Sequence, residues 1–186
     1  MKHSLIAAAL AVLALALPPL SPAQSQNLSA TAGATTVIAG VSLSCIDFRG
    51  KDVRTVKVDE LGDVGRAWVV DTNPFIVMGT HLLQLLPPKL QLFFYAHECA
   101  HHVLAHWYNP SLGNEKEADC WAIRYGRDTN LFRRQEVVDF APWLERSNGS
   151  RYGHLPGPLR SRYLLECFDS SEPLLISDER KGLFMR

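Results

Sequence analysis

The chain carries a run of residues, Tyr95 to His102, that reads Y-A-H-E-C-A-H-H. His97 and His101 stand four positions apart with Glu98 beside the first of them. A helix advances about 100° per residue, so positions four apart lie within roughly 40° of each other. Both imidazoles therefore leave one face, a turn apart, and can grip a single cation. Imidazole and carboxylate donors suit zinc, and Glu98 is close enough to take a proton from a water on such an ion. Histidine-rich helices spell H-E-x-x-H by chance as well, so the remaining ligands decide the reading. A catalytic zinc site needs a third protein ligand. Downstream, Asn114 to Asp119 reads N-E-K-E-A-D, and Glu115 and Asp119 repeat the four-residue spacing.

These two motifs, in this order, resemble those of the gluzincins, the thermolysin-like zinc peptidases. Within them the chain is most similar to the HtpX- and BepA-like group, which includes the CAAX prenyl proteases. The core of the resemblance covers about residues 74–126. It implies Zn²⁺ held by His97, His101 and Glu115, Glu98 as general base, and Asp119 hydrogen-bonded to a ligand histidine. The group carries a later T-H-P…R-I element. Here Gly153 to Arg160 reads G-H-L-P-G-P-L-R, with Leu155 separating His from Pro. By that match His154 is the first candidate to stabilise an oxyanion, with Tyr152 and Arg160 as alternatives. Gluzincins usually bind a peptide along an edge strand before the active-site helix, and Pro74 to Met78 occupies that place. The implied function is an exported zinc endopeptidase acting on peptide or protein substrates. The alternatives are a zinc-dependent binding or quality-control factor of the cell envelope with latent or no proteolysis, and a fold that keeps the motif without turnover.

Other histidines fit less well. His102 and His106 fall about 140° and 180° around an extended helix from His97, which makes them surface or packing residues. A metzincin reading fails because Leu104 and Trp107 stand where that pattern needs Gly and His.

The elements that must position these residues can be read from pattern. Arg54 to Val58 alternates polar and apolar and predicts a strand. Arg66 to Val70 and Pro74 to Met78 are β-rich runs, and Asp71-Thr72-Asn73 between them is turn chemistry. Gly79-Thr80 opens a short helix to Leu86, with Thr80 as its cap. Pro88 suits the first turn of the next helix, Lys89 to about His106. Further helices are predicted over Asn114 to Tyr125, Arg133 to Arg146 (with Pro142 as an alternative, earlier end) and Leu159 to Phe168, with a poorly ordered tail after Asp169. The fold class is α+β: a small antiparallel sheet whose edge strand packs on the H-E-x-x-H helix, then a helical C-terminal half.

Lys2, the apolar run Leu5 to Leu17, Pro18-Pro19 and Ser21-Pro22-Ala23 read as a signal peptide over residues 1–23, cleaved after Ala23. Gln24 to Thr36 is small and polar, a flexible leader. Residues 37–186 then form one metallopeptidase domain, secreted or periplasmic, with no stable membrane insertion after signal removal. The chain has 19 basic and 19 acidic residues, a balance that gives no reason to expect nucleic acid as a partner. Nothing in the residues fixes the oligomeric state. Asn27-Leu28-Ser29 and Asn148-Gly149-Ser150 are glycosylation sequons in a host that uses them. Four cysteines in an exported chain predict two disulfides, with three possible pairings. Cys99 and Cys120 lie on the two ligand-bearing helices, so Cys99–Cys120 with Cys45–Cys167 is the first choice. Cys99 points away from the metal face, however, and Cys120–Cys167 is the next.

Overall fold

The computed structural model describes residues 35–111, 114–149, 154–172, 174 and 182–185. The expected signal peptide, most of the leader, Tyr152 and the sequon residues Asn27, Leu28, Ser29 and Ser150 lie outside them. Thr35 and Thr36, assigned to the leader, instead open the first strand.

Strands β1 (Thr35–Ile38) and β2 (Val41–Ile46) form a hairpin closed by Ala39-Gly40, both at positive φ. Strand β3 (Asp52–Val58) follows, and then a second hairpin of β4 (Gly65–Val70) and β5 (Asn73–Gly79). Asp71 and Thr72 close that hairpin at φ 47° and 66°. Left-handed two-residue turns match the right-handed twist of paired strands. Helices α1 (Thr80–Gln84), α2 (Pro88–Val103), α3 (Asn114–Asp128), α4 (Arg134–Glu145) and α5 (Gly157–Asp169) come next, and strand β6 (Gly182–Met185) is last. The fold is α+β, a mostly antiparallel sheet followed by a helical C-terminal half. The sheet order is β1-β2-β3-β5-β4, with β6 paired to β2.

Several sequence expectations need correction. Pro74 to Met78 is not the edge strand. It lies between β3 and β4, parallel to the first and antiparallel to the second. Its run Phe75-Ile76-Val77-Met78 is apolar without alternation, as a strand covered on both faces requires. The edge belongs to β4, where Trp68 and Val70 are exposed. The segment after Asp169 supplies a strand, because β6 completes main-chain pairing along Leu43–Ile46. Thr80 does not cap α1: Gly79 holds the cap position, and the Thr80 hydroxyl donates to Val58 O and Asp59 Oδ1. Pro142 does not end α4 early. Phe140, Ala141 and Leu144 are buried around it, and their packing outweighs the roughly 3 kcal/mol that an interior proline costs.

Helix α2 begins with Pro88, whose missing N–H costs nothing in a first turn. It is buried continuously from Leu92 to His102, so it is the core of the molecule rather than a surface helix. It stops at Val103, and Ala105 turns the chain at φ 60°. The disulfides are Cys45–Cys99 and Cys120–Cys167. The first-choice pairing fails because Cys99 faces the sheet, on the side of α2 away from α3. One bridge ties α2 to β2 and the other ties α3 to α5. Among the described residues, no helix is long and apolar enough to cross a membrane.

Candidate metal centre

His97 and His101 leave α2 one turn apart, and Glu115 leaves the first turn of α3 to meet them. Their ligating atoms converge within 4.8 Å of one another. His97 Nε2 and His101 Nε2 are 3.1 Å apart, and each lies 3.4 Å from a Glu115 carboxylate oxygen. Tetrahedral coordination with bonds of about 2.0–2.1 Å places ligand atoms roughly 3.3–3.4 Å from one another. The triangle therefore has the size of three corners of such a site. Glu115 Oε2 is buried without a hydrogen-bond partner, a costly arrangement for a carboxylate that a cation resolves. Buried His and Glu groups that can hold a metal ion are thus in place.

Asp119 lies beneath His97. Its Oδ1 accepts from His97 Nδ1 at 2.7 Å, which leaves the Nε2 lone pair facing Glu115 and His101. The same carboxylate accepts two bonds from Arg160, at 2.6 and 2.8 Å, and one from the Tyr163 hydroxyl. Arg160 sits against the rings of Phe93 and Phe94. Burial opposes the Asp119 charge, but Arg160 and His97 outweigh it and hold the carboxyl well below the usual carboxylate range. Burial likewise opposes a charge on His97, yet Asp119, Glu115 and Glu98 push its pKa up. A proton and a metal ion compete for the same nitrogen. His101 is driven well down by burial, and by His97 next to it.

Glu98 turns the other way, toward β4. Its Oε2 accepts the Ala67 N–H at 2.6 Å, and its Oε1 lies 3.4 Å from His154 Nε2. Gly65 makes this possible, since a Cβ there would stand 3.0 Å from Glu98 Cγ and 3.1 Å from Oε1. The other nitrogen of His154, Nδ1, lies 3.1 Å from Asp63 Oδ2. Burial alone would discharge His154; Asp63 and Glu98 overcome it and push its pKa up to about 10. Burial resists the Glu98 charge as well, but His154, His97 and the Ala67 N–H hold its pKa below the ordinary value.

The structure thus brings His97, His101, Glu115, Glu98, Asp119 and His154 to one place. Of these, His101, Glu115, Glu98 and His154 border a cleft of about 610 Å³ lined also by Arg66, Ala67, Trp107 and Leu155, while His97 and Asp119 are fully buried behind them. Arg160 faces Asp119 rather than the cleft, which removes it as an oxyanion donor. His102 is a buried packing residue that donates to Phe75 O at 2.8 Å. His106 departs from the helical-wheel expectation: past the end of α2, the turn at Ala105 swings it back to His101, with 2.9 Å between their Nδ1 atoms. Sequence reasoning missed Asp63, Ala67, Tyr163 and this role of His106. Only Tyr163 had a signal, three residues beyond Arg160 on one helix face.

No protein-family profile, curated protein or solved structure matches this chain.

Proposed function

We propose that this chain is an exported zinc-dependent endopeptidase of the gluzincin kind, working in the periplasm or outside the cell. The observation that carries the reading is the triangle of His97, His101 and Glu115 with Glu98 in the same cleft wall. A site built only to hold a structural ion has no use for a second, differently aimed carboxylate beside its three ligands. The two disulfides support export, since such bridges persist in oxidising compartments.

Zinc, when bound by His97, His101 and Glu115, supplies a water of lowered pKa and polarises a peptide carbonyl. The side chains do the rest. Glu98 Oε1 accepts the proton of the attacking water and passes it to the leaving amine. The Ala67 N–H holds the other oxygen, so Oε1 is the one aimed at the reaction. His154, kept cationic by Asp63 and Glu98, donates to the oxyanion as it develops. Asp119 fixes the His97 tautomer, and Arg160 and Tyr163 fix Asp119.

Among the described residues β4 pairs only with β5. The Ala67 N–H points to Glu98 and so away from β5. By strand alternation, the Ala67 carbonyl and the Val69 N–H share that free edge. A peptide adding there as an extra strand would carry its carbonyl to the metal side of Glu98.

The test is metal analysis of the purified chain together with cleavage of a peptide library by wild type and Glu98→Gln. The reading requires stoichiometric zinc in both proteins and cleavage by the wild type alone. Zinc-loaded wild type that cleaves nothing while retaining peptides in the cleft would favour the binding-factor alternative.

A further inference from the structure

We infer that His106 and Glu117 form a second positioning relay, which fixes His101 as Asp119 fixes His97. The inference rests on the metal reading of the site and adds His106, which lies outside both sequence motifs, and Glu117, a position of the second motif given no role above. His106 lies beyond α2, and its ring packs edge-on to that of His101 with centroids 5.0 Å apart. Its Nδ1 is 2.9 Å from His101 Nδ1, and its Nε2 is 3.2 Å from Glu117 Oε2. Both rings are buried.

The protons on this chain follow from Glu117. An ionised carboxylate only accepts, so the hydrogen between Glu117 and His106 belongs to His106 Nε2. A neutral imidazole carries one N–H, so His106 Nδ1 presents a lone pair. The contact at 2.9 Å then requires His101 to donate from its own Nδ1. His101 is left with its Nε2 lone pair aimed at His97 Nε2 and Glu115, the form a metal ligand must have. The reversed arrangement would put a proton on His101 Nε2, where it would block coordination, and would leave His106 Nε2 without a hydrogen for Glu117.

The relay also explains the sharp exit from α2. A helix continued through His106 would point that ring away from His101. The left-handed Ala105, at φ 60°, turns it back. Glu117 comes from α3, two residues beyond Glu115, so the helix that supplies the third ligand also orients the second. Asp119 on the same helix orients the first. His101 and His97 are thus both set by α3, one through a histidine and one directly.

The test titrates the full, oxidised chain with Zn²⁺ against a competing chelator, and with Co²⁺ followed by its visible absorption. Loss of such supporting partners typically costs 10–100-fold in metal affinity. His106→Ala is expected to weaken Zn²⁺ binding by about that factor and to shift the Co²⁺ bands. His106→Asn, which returns an acceptor oxygen near the place of Nδ1, should restore most of the affinity. Glu117→Gln should stay near wild type, since its amide oxygen still accepts, whereas Glu117→Ala should follow His106→Ala in the same direction. His102→Ala removes a buried histidine of similar standing and should alter melting temperature but not affinity. Nitrogen NMR of the zinc-loaded protein should find His106 protonated on Nε2. Unchanged affinity in His106→Ala, or His106 protonated on Nδ1, overturns the relay while leaving the metal site intact. Loss of binding as complete as in His97→Ala would make His106 a ligand and also overturn it. Wild type that binds neither metal overturns the relay and the metal reading together.

Discussion

Asp119→Asn tests the site at its most heavily used residue. Two carboxylate oxygens accept four hydrogen bonds: Oδ1 serves His97 and the Arg160 Nη2, Oδ2 serves the Arg160 Nε and Tyr163. An asparagine keeps the shape but turns one oxygen into an NH₂ group, which then faces two donors. It also leaves the guanidinium of Arg160, 2% exposed, without its hydrogen-bonded carboxylate partner. Losing two charge-assisted bonds at about 1.5–3 kcal/mol each gives roughly 3–6 kcal/mol. Breaking a buried ion pair by removing one partner gives about 3–5 kcal/mol, so the two routes agree. In a chain of this size, 1 kcal/mol moves the melting temperature by about 2–4 °C, and the expected fall is roughly 6–20 °C. The measurement is thermal unfolding of the metal-free, oxidised protein. Zinc affinity, read separately, should fall about 10–100-fold as His97 loses its orienting acceptor. Adding Arg160→Met to Asp119→Asn removes the stranded charge and should recover part of the stability but not the affinity. A loss under about 1 kcal/mol in the single variant would refute the buried-pair argument, as would strictly additive effects in the double variant.

Glu98→Gln should keep zinc and fold while losing about 10²–10⁴-fold in turnover, because the amide accepts no proton; full activity would require another base. His154→Ala should keep zinc yet lower kcat by about 10²–10³-fold, and unchanged kcat would remove His154 from the chemistry. Gly65→Val should press on Glu98 and lower kcat without lowering zinc content, since the atoms nearest a Cβ there belong to Glu98 and Met78; a loss of zinc instead would place Gly65 in support of the ligands. Non-reducing peptide mapping should return Cys45–Cys99 and Cys120–Cys167. Reducing each bridge should destabilise the chain by about 4 kcal/mol, from loop closures of 54 and 47 residues.

What the sequence disclosed was local and periodic. His97, Glu98 and His101 share one helix and Glu115 and Asp119 another, so helical spacing alone orients them. The Asp71-Thr72 turn and the proline at the start of α2 were readable for the same reason. What it concealed depends on tertiary neighbours. The order β3-β5-β4 inserts the later strand of a hairpin between the earlier strand and β3, and nothing in Pro74 to Met78 names those neighbours. Asp63 reaches His154 across about half of the chain from a loop with no pattern of its own. His106 was misplaced because the helical wheel was carried past the residue where the helix stops. The chain turns there at Ala105, and alanine gives no warning of a left-handed conformation.

The placing of the cysteines shows how the site is held. Cys99 directly follows Glu98 and Cys120 directly follows Asp119, so each bridge is anchored one position from a site residue. A neighbouring helical residue points about 100° away, which lets Glu98 and Asp119 face the site while the sulfurs face elsewhere. Cys99 fixes α2 to β2, the sheet side of the molecule. Cys120 fixes α3 to α5, the helix that carries Arg160 and Tyr163 to Asp119. Neither bridge joins α2 to α3, although the ligand set is divided between those two helices. A Cys99–Cys120 bridge would have closed the site covalently, with or without an ion. As built, each half carries its own bridge, and the halves meet through packing, the His97–Asp119 bond, the His106–Glu117 contact and any cation that His97, His101 and Glu115 share. A cation held by His97, His101 and Glu115 would therefore be coupled to the docking of α3 on α2, and Glu115 would contribute to the fold of the loaded protein.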